Sequence, residues 1–243
     1  DEERPDHQED DVDSLVALPA APEAPWALPR AGIEKGQVTR HQFRSRLLGN
    51  DRRVWVYTPP QYKTPDERYP LTVVLDGRFF TFAVGVPHIL DSLLADGEIP
   101  PLVAVMVDNP GSTWEQSMAI RERELSCYPP FSDFLAQELV PWLQESYYIT
   151  TNPLRISLAG GSVGALAAAF AARQHPGTFG NVLAMSGSFW WKPDGDGEWE
   201  WLSRQFARGC PCVSTWRLAC WKARPCQVDS PARFWQIAIC ATC

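Results

Sequence analysis

The chain has 243 residues, 45% of them apolar and 21% charged, with a formal net charge of −7. That length suits one domain of ordinary size, and the acidic balance excludes binding to nucleic acid or an anionic membrane surface through bulk charge. No apolar run approaches the roughly 18 residues that a bilayer span requires, so neither membrane nor nucleic acid is expected as a partner.

Residues 1–13 hold eight acidic side chains, and Pro19, Pro22, Pro25 and Pro29 follow among alanines. This composition predicts a linker or disordered arm over residues 1–38. The chain opens on Asp1, with no basic stretch leading into an apolar one, so no signal peptide is expected.

Globular patterning begins near residue 40. Residues 53–57 (Arg-Val-Trp-Val-Tyr) alternate and then meet Pro59-Pro60, which reads as a strand that stops. Residues 71–75 are a continuous apolar, largely β-branched run ending at Asp76-Gly77, as in a buried parallel strand. Residues 89–94 are a helix candidate, and residues 102–107 a second buried strand. Apolar residues at helical spacing (Phe134, Leu135, Leu139, Trp142, Leu143) predict a helix over 131–147. Residues 155–159 read as a third strand, 165–173 as an alanine-rich helix and 182–185 as a fourth strand. Alternating helices and doubly apolar strands predict an α/β fold: a doubly wound, mostly parallel sheet in three αβα layers. Ligands bind such sheets at the carboxyl ends of the strands.

Gly160-Gly161-Ser162-Val163-Gly164 fits the G-x-S-x-G pattern of a nucleophile elbow, with a strand before it and a helix after it. Ser162 is the candidate nucleophile. Gly160 and Gly164 are the positions where a Cβ would strike the neighbouring strand or helix. The helix N-terminus favours negative charge. The backbone N–H of Val163 is expected to give one oxyanion donor, and that of Arg78, after the strand ending at Asp76-Gly77, the other.

Around these motifs the chain resembles the catalytic domain of enterochelin (ferric enterobactin) esterases, an α/β-hydrolase family. The resemblance runs from about residue 25 to 208. It rests on Arg53 to Thr58, Val74 to Gly77, Ile99 to Pro101, Arg121 with Glu124-Leu125, Phe134 to Leu139, Ala159 to Gly164, His175-Pro176, Phe179 to Leu183 and Ser186 to Trp191. It implies hydrolysis, in the cytoplasm, of the serine-ester bonds of a ferric catecholate siderophore, which releases iron. It also implies an N-terminal β-rich domain of which only the linker end is represented here. By the same resemblance Ser162 is the nucleophile, Arg121 sits at the catecholate site, and Trp190 and Trp191 form its aromatic wall. A trianionic ligand with flat rings suits guanidinium and indole partners. The competing readings are a surface pair of Arg121 with Glu122 or Glu124, and core packing for the two tryptophans. No cofactor and no resident metal are implied.

A serine hydrolase of this fold needs an acid and then a histidine after the elbow, yet no histidine follows His175. His41, His88 and His175 all read as structural. Six of the seven cysteines fall in the last 34 residues, at spacings that match no zinc pattern. Reading the tail one base out of register turns Trp221-Lys222 into a forced Glu, and Phe234-Trp235-Gln236 into a forced Leu-Ala. Other positions then permit the strand and acidic loop that the family carries. Residues 209–243 are therefore expected to be a frameshifted segment, and residues 39–208 an esterase domain lacking its C-terminal strands. The expected function is an impaired serine carboxylic-ester hydrolase. The alternatives are a general carboxylesterase of the same fold and a non-catalytic remnant that binds a catecholate.

Overall fold

The computed structural model describes residues 25–26, 29–63 and 68–207, together with the backbone of two short strands at 216–218 and 238–241. Most of the acidic arm and of the cysteine-rich tail, including the frameshift expected there, lies outside the described residues.

Strands β1 (Gln37–Ser45) and β2 (Asn50–Thr58) form an antiparallel hairpin. Its turn is held by Glu138, which accepts from Ser45 Oγ at 2.6 Å and from the N–H groups of Arg46 and Leu47. Strands β3 (Leu71–Leu75), β4 (Val103–Val107), β5 (Ile156–Gly161) and β6 (Asn181–Met185) are parallel and lie side by side in the order β4-β3-β5-β6. The β2 strand joins this group antiparallel to β4. Beyond β6 the parallel run stops, and β7 (Trp216–Leu218) and β8 (Ala238–Ala241) complete the sheet with antiparallel pairings.

Both faces of the sheet are covered, which explains why the central strands are apolar throughout. On one face, Val54, Val56, Val73, Val105 and Leu158 pack against helices α2 (Trp114–Leu125), α3 (Pro129–Phe134), α4 (Val140–Ser146) and α5 (Val163–Gln174). On the other, Trp55, Tyr57, Val74 and Met106 meet α1 (Val86–Ala95) and Phe80. Tyr57 Oη donates to Asp91 of α1 at 2.8 Å. A last helix, α6 (Trp201–Ala207), lies on the α5 side, where Trp201 meets Phe170.

Two elements differ from the sequence reading. The helix expected over 131–147 is interrupted: α3 and α4 are joined by a π-helical turn at Leu135–Leu139. Pro141 lacks an N–H, and its ring crowds the carbonyl four residues back, so the ladder widens by one residue there. Helix α2 was not expected at all. It is polar around its circumference and buries only Glu124 and Leu125. The buried Glu124 pairs with Arg52 of β2 at 3.1 Å, with both side chains 0% exposed. Arg52 stacks over Phe134, 4.5 Å from its ring centre. Desolvation lowers the Arg52 pKa from its ordinary value, and the Glu124 charge works against that shift.

Candidate active site

Ser162 stands between the end of β5 and the start of α5 with φ 54° and ψ −121°, in a region that non-glycine residues enter only under constraint. The constraint is visible in its hydrogen bonds. Ser162 N–H donates to Met185 O at 3.0 Å, and Ser162 C=O accepts from Ser188 N–H at 3.0 Å, so the end of β6 and the loop after it grip the serine from both sides. The turn also depends on close backbone approach. A Cβ on Gly160 would lie 2.5 Å from the Gly164 carbonyl, and one on Gly164 would lie 3.0 Å from Asp76 Oδ2. These two glycines therefore let β5, α5 and the end of β3 converge.

The Ser162 side chain is exposed, and its Oγ lies 3.2 Å from Ser188 Oγ. The Val163 N–H belongs to the first turn of α5, where no intrahelical acceptor exists. Arg78 follows the end of β3, beside Asp108 at the end of β4. Its backbone N–H is directed at the Asp108 carboxylate, which also pairs with Arg53 at 2.9 Å. Asp108 is buried at the end of β4, and a carboxylate there needs every donor available. Desolvation raises its pKa, against the lowering effect of Arg53 and the backbone donors.

Arg121 has a different immediate partner from the two considered in the sequence. Its Nε donates to Asp76 Oδ1 at 2.6 Å and its Nη2 to Asp76 Oδ2 at 2.8 Å, a bidentate pair. Asn109 Nδ2 donates to the same Asp76 Oδ1 at 2.7 Å. One carboxylate thus separates Arg121 from the first turn of the serine-bearing helix. Asp76 itself was read only as a strand end. Its φ of 59° lies in the left-handed region that few non-glycine residues adopt.

The two tryptophans after Ser188 part company. Trp190 is 60% exposed and faces the equally exposed Trp199 with ring centres 6.1 Å apart. Lys192 Nζ lies 5.1 Å from the Trp199 ring. Trp191 instead packs against the core and meets Trp201 edge-on. Of the two, Trp190 is the exposed indole, although their backbone carbonyls are bonded alike: Trp190 O accepts from Glu200 N–H at 3.2 Å and Trp191 O from Trp201 N–H at 3.1 Å.

Among the described residues no hydrogen bond joins Ser162 to a histidine. His41 bonds Tyr147 Oη at 2.6 Å on β1, and His175 pairs with Asp133 at 2.9 Å at the far end of α5. His88 is exposed in the first turn of α1. Among the described residues no helix is long and apolar enough to cross a membrane.

A strained, exposed serine between a central parallel strand and a helix, in a sheet covered on both faces, defines an α/β-hydrolase. The chain belongs to the esterase family, whose model (described as "Putative esterase") matches residues 45–212. The resemblance to enterochelin esterases holds in both sequence and structure. The chain is 34% identical over 197 residues to the iron(III) enterobactin esterase of Escherichia coli O6:H1, which covers 81% of this chain and 47% of that protein. The crystal structure of the enterobactin esterase from Shigella flexneri in the presence of enterobactin matches with a TM-score of 0.68 and 32% identity, covering 79% of this chain and 48% of that one. A ferulic acid esterase from Anaeromyces mucronatus shares the fold, with a TM-score of 0.56 at 20% identity over 72% of this chain and 66% of that one. The chain spans about half the length of the curated enterobactin esterases it matches.

Proposed function

We propose that this chain carries the acyl-transfer half of a serine esterase acting on a ferric catecholate siderophore of the enterobactin type, in the cytoplasm. The observation that carries the reading is Ser162: a strained, exposed hydroxyl at the N-terminus of α5, on a chain 34% identical to an iron(III) enterobactin esterase. The compartment and the substrate rest on that relationship. The exposed Trp190–Trp199 pair beside the serine loop is a suitable surface for flat catechol rings.

In this reading the Ser162 hydroxyl attacks an ester carbonyl and loses its proton. The carbonyl oxygen takes up the charge beside the Val163 N–H, and water later releases the acyl group. The weak point is the proton acceptor. Among the described residues the side-chain partner of Ser162 Oγ is another hydroxyl, that of Ser188 at 3.2 Å. Without a base a serine is a poor nucleophile, and the residual acceleration expected over water is roughly 10³–10⁴-fold. Binding without turnover is the second reading, favoured by the lack, among the described residues, of a histidine bonded to Ser162.

The test compares hydrolysis of ferric enterobactin by this chain, by Ser162→Ala, and by a version whose tail is restored by a one-base correction near codon 209. The expected ranking is restored tail far above the chain as it stands, and that chain above Ser162→Ala. Equal rates for the chain and Ser162→Ala, with siderophore still bound, would establish binding alone.

A further inference from the structure

The resemblance assigns Arg121 to the catecholate. We infer instead that Arg121 acts through Asp76, and that the Arg121–Asp76–Asn109 cluster is a positioning and charge-neutralising clamp under the serine-bearing helix. The inference rests on the serine-esterase reading above and adds three positioning residues to it.

The cluster is built on three separate elements. Asp76 ends β3, Asn109 follows β4, and Arg121 lies on α2. Both Asp76 oxygens are occupied: Oδ1 accepts from Arg121 Nε and Asn109 Nδ2, and Oδ2 accepts from Arg121 Nη2. The carboxylate is buried, while the Arg121 side chain is 21% exposed. Oδ2 lies 3.0 Å from where a Cβ on Gly164 would stand, so the carboxylate touches the first turn of α5. The turn at Asp76 is held at φ 59°, a conformation that persists only where surrounding contacts over-determine it.

The electrostatic consequence follows from position. The N-terminus of α5 is where negative charge must develop during acylation, beside the Val163 N–H. A bare carboxylate one turn away would oppose that charge. The bidentate guanidinium cancels it and fixes its geometry. Lysine, a compact single-point cation, cannot reproduce the fork. Arg121 spends two of its donor groups on Asp76, so its main effect falls on the rate of the acyl step rather than on the affinity for a catecholate.

The substrates separate the two roles. A neutral ester without a catechol, 4-nitrophenyl acetate, has nothing for a catecholate-binding arginine to hold. Acylation is followed with it at high enzyme concentration, with Ser162→Ala as the blank, and the affinity of phenylboronic acid, which forms a tetrahedral anion on an active serine, is measured in parallel. Arg121→Met is expected to lower both the acylation rate and the boronate affinity about 10- to 100-fold, the effect of one uncompensated charge at short range in a protein-like medium. KM for the ester should change little. Arg121→Lys should recover only part of the loss. Arg121→Met combined with Asp76→Asn should recover more than Arg121→Met alone, because the stranded charge is then gone. Far-UV circular dichroism confirms that each variant is folded. Ser162-dependent acylation that is unchanged in Arg121→Met overturns the clamp and leaves the esterase reading standing. So does a double variant no better than the single one. Reaction in the parent that does not depend on Ser162 overturns the esterase reading, and the clamp with it.

Discussion

Glu124→Leu tests how α2 is held to the sheet. Glu124 and Arg52 are both fully buried, and Arg52 Nε and Nη1 already lack hydrogen-bond partners among the described residues. Removing the carboxylate strands a guanidinium whose remaining polar contact is Asn50 Oδ1 at 3.0 Å and whose faces rest on Phe131 and Phe134. Breaking one side of such a pair costs about 3–5 kcal/mol. For a chain of this size that corresponds to a fall in Tm of roughly 10–15 °C. Arg52→Met with Glu124→Leu removes both charges and keeps the volume apolar, so most of that loss should return. Urea unfolding of the parent, both single variants and the double variant, followed by tryptophan fluorescence, gives the cycle directly. A Glu124→Leu loss below about 1 kcal/mol, or a double variant no more stable than Glu124→Leu, would refute the view that the uncompensated charge dominates.

Four further outcomes are expected. Gly160→Ala should cost at least 1–3 kcal/mol, since its Cβ would meet backbone at 2.5 Å; it should also abolish labelling of Ser162 by a fluorophosphonate, and wild-type labelling would contradict the described turn. Trp190→Ala should alter stability by no more than about 0.5 kcal/mol while weakening dihydroxybenzoate binding in calorimetry, whereas Trp191→Ala should lose stability and leave that affinity largely intact. Burial pushes the Cys127 thiol up to about 12, so its peptide should remain unlabelled by iodoacetamide in native protein at pH 8, and rapid labelling there would count against the burial. Burial lowers the His41 pKa from 6.5, so the unfolded chain binds the proton more tightly; stability from this residue is full above about pH 6.5, falls as pH drops through that value, and the corresponding slope should vanish in His41→Phe.

The legible parts of this molecule are those whose cause is local. Strands β3 and β4 are buried along almost their whole length, so a continuous run rich in β-branched residues was enough to find them. The elbow announces itself because Gly160 and Gly164 are required by backbone approach. Helix α2 escaped because polar residues surround it. Its only advance notice was Thr113 three residues before Gln116, and the Thr113 side chain does accept from Gln116 N–H at 3.3 Å. The partners of Arg121 and Arg52 were beyond reach of any spacing rule. Asp76 and Glu124 meet them only after β3, β2 and α2 have assembled, and the nearer acids Glu122 and Glu124 were the natural local candidates for Arg121. Trp190 and Trp191 are adjacent in sequence, yet one faces solvent and the other the core. The difference lies in what each ring meets, Trp199 for Trp190 and the core with Trp201 for Trp191, and none of these partners is predictable from the spacing of the two tryptophans.

The order of strands in the sheet also sets an order of events in folding. The β1–β2 hairpin closes over a four-residue turn and can form early. The central β3 strand is different: its Leu71 pairs with Val103 on one side and with Ile156 on the other. Its second edge stays unpaired until most of the esterase domain has been made and β5 has returned past the four helices α1 to α4. Pairings so remote in sequence make folding slow. Throughout that wait, the free edge of Leu71–Leu75 offers the unpaired backbone groups of alternate residues among mostly apolar side chains, the feature through which two unfinished copies would pair with each other. Conditions that lengthen this interval, such as slowed elongation between β3 and β5, should therefore lower the yield of native protein even where the finished fold is stable.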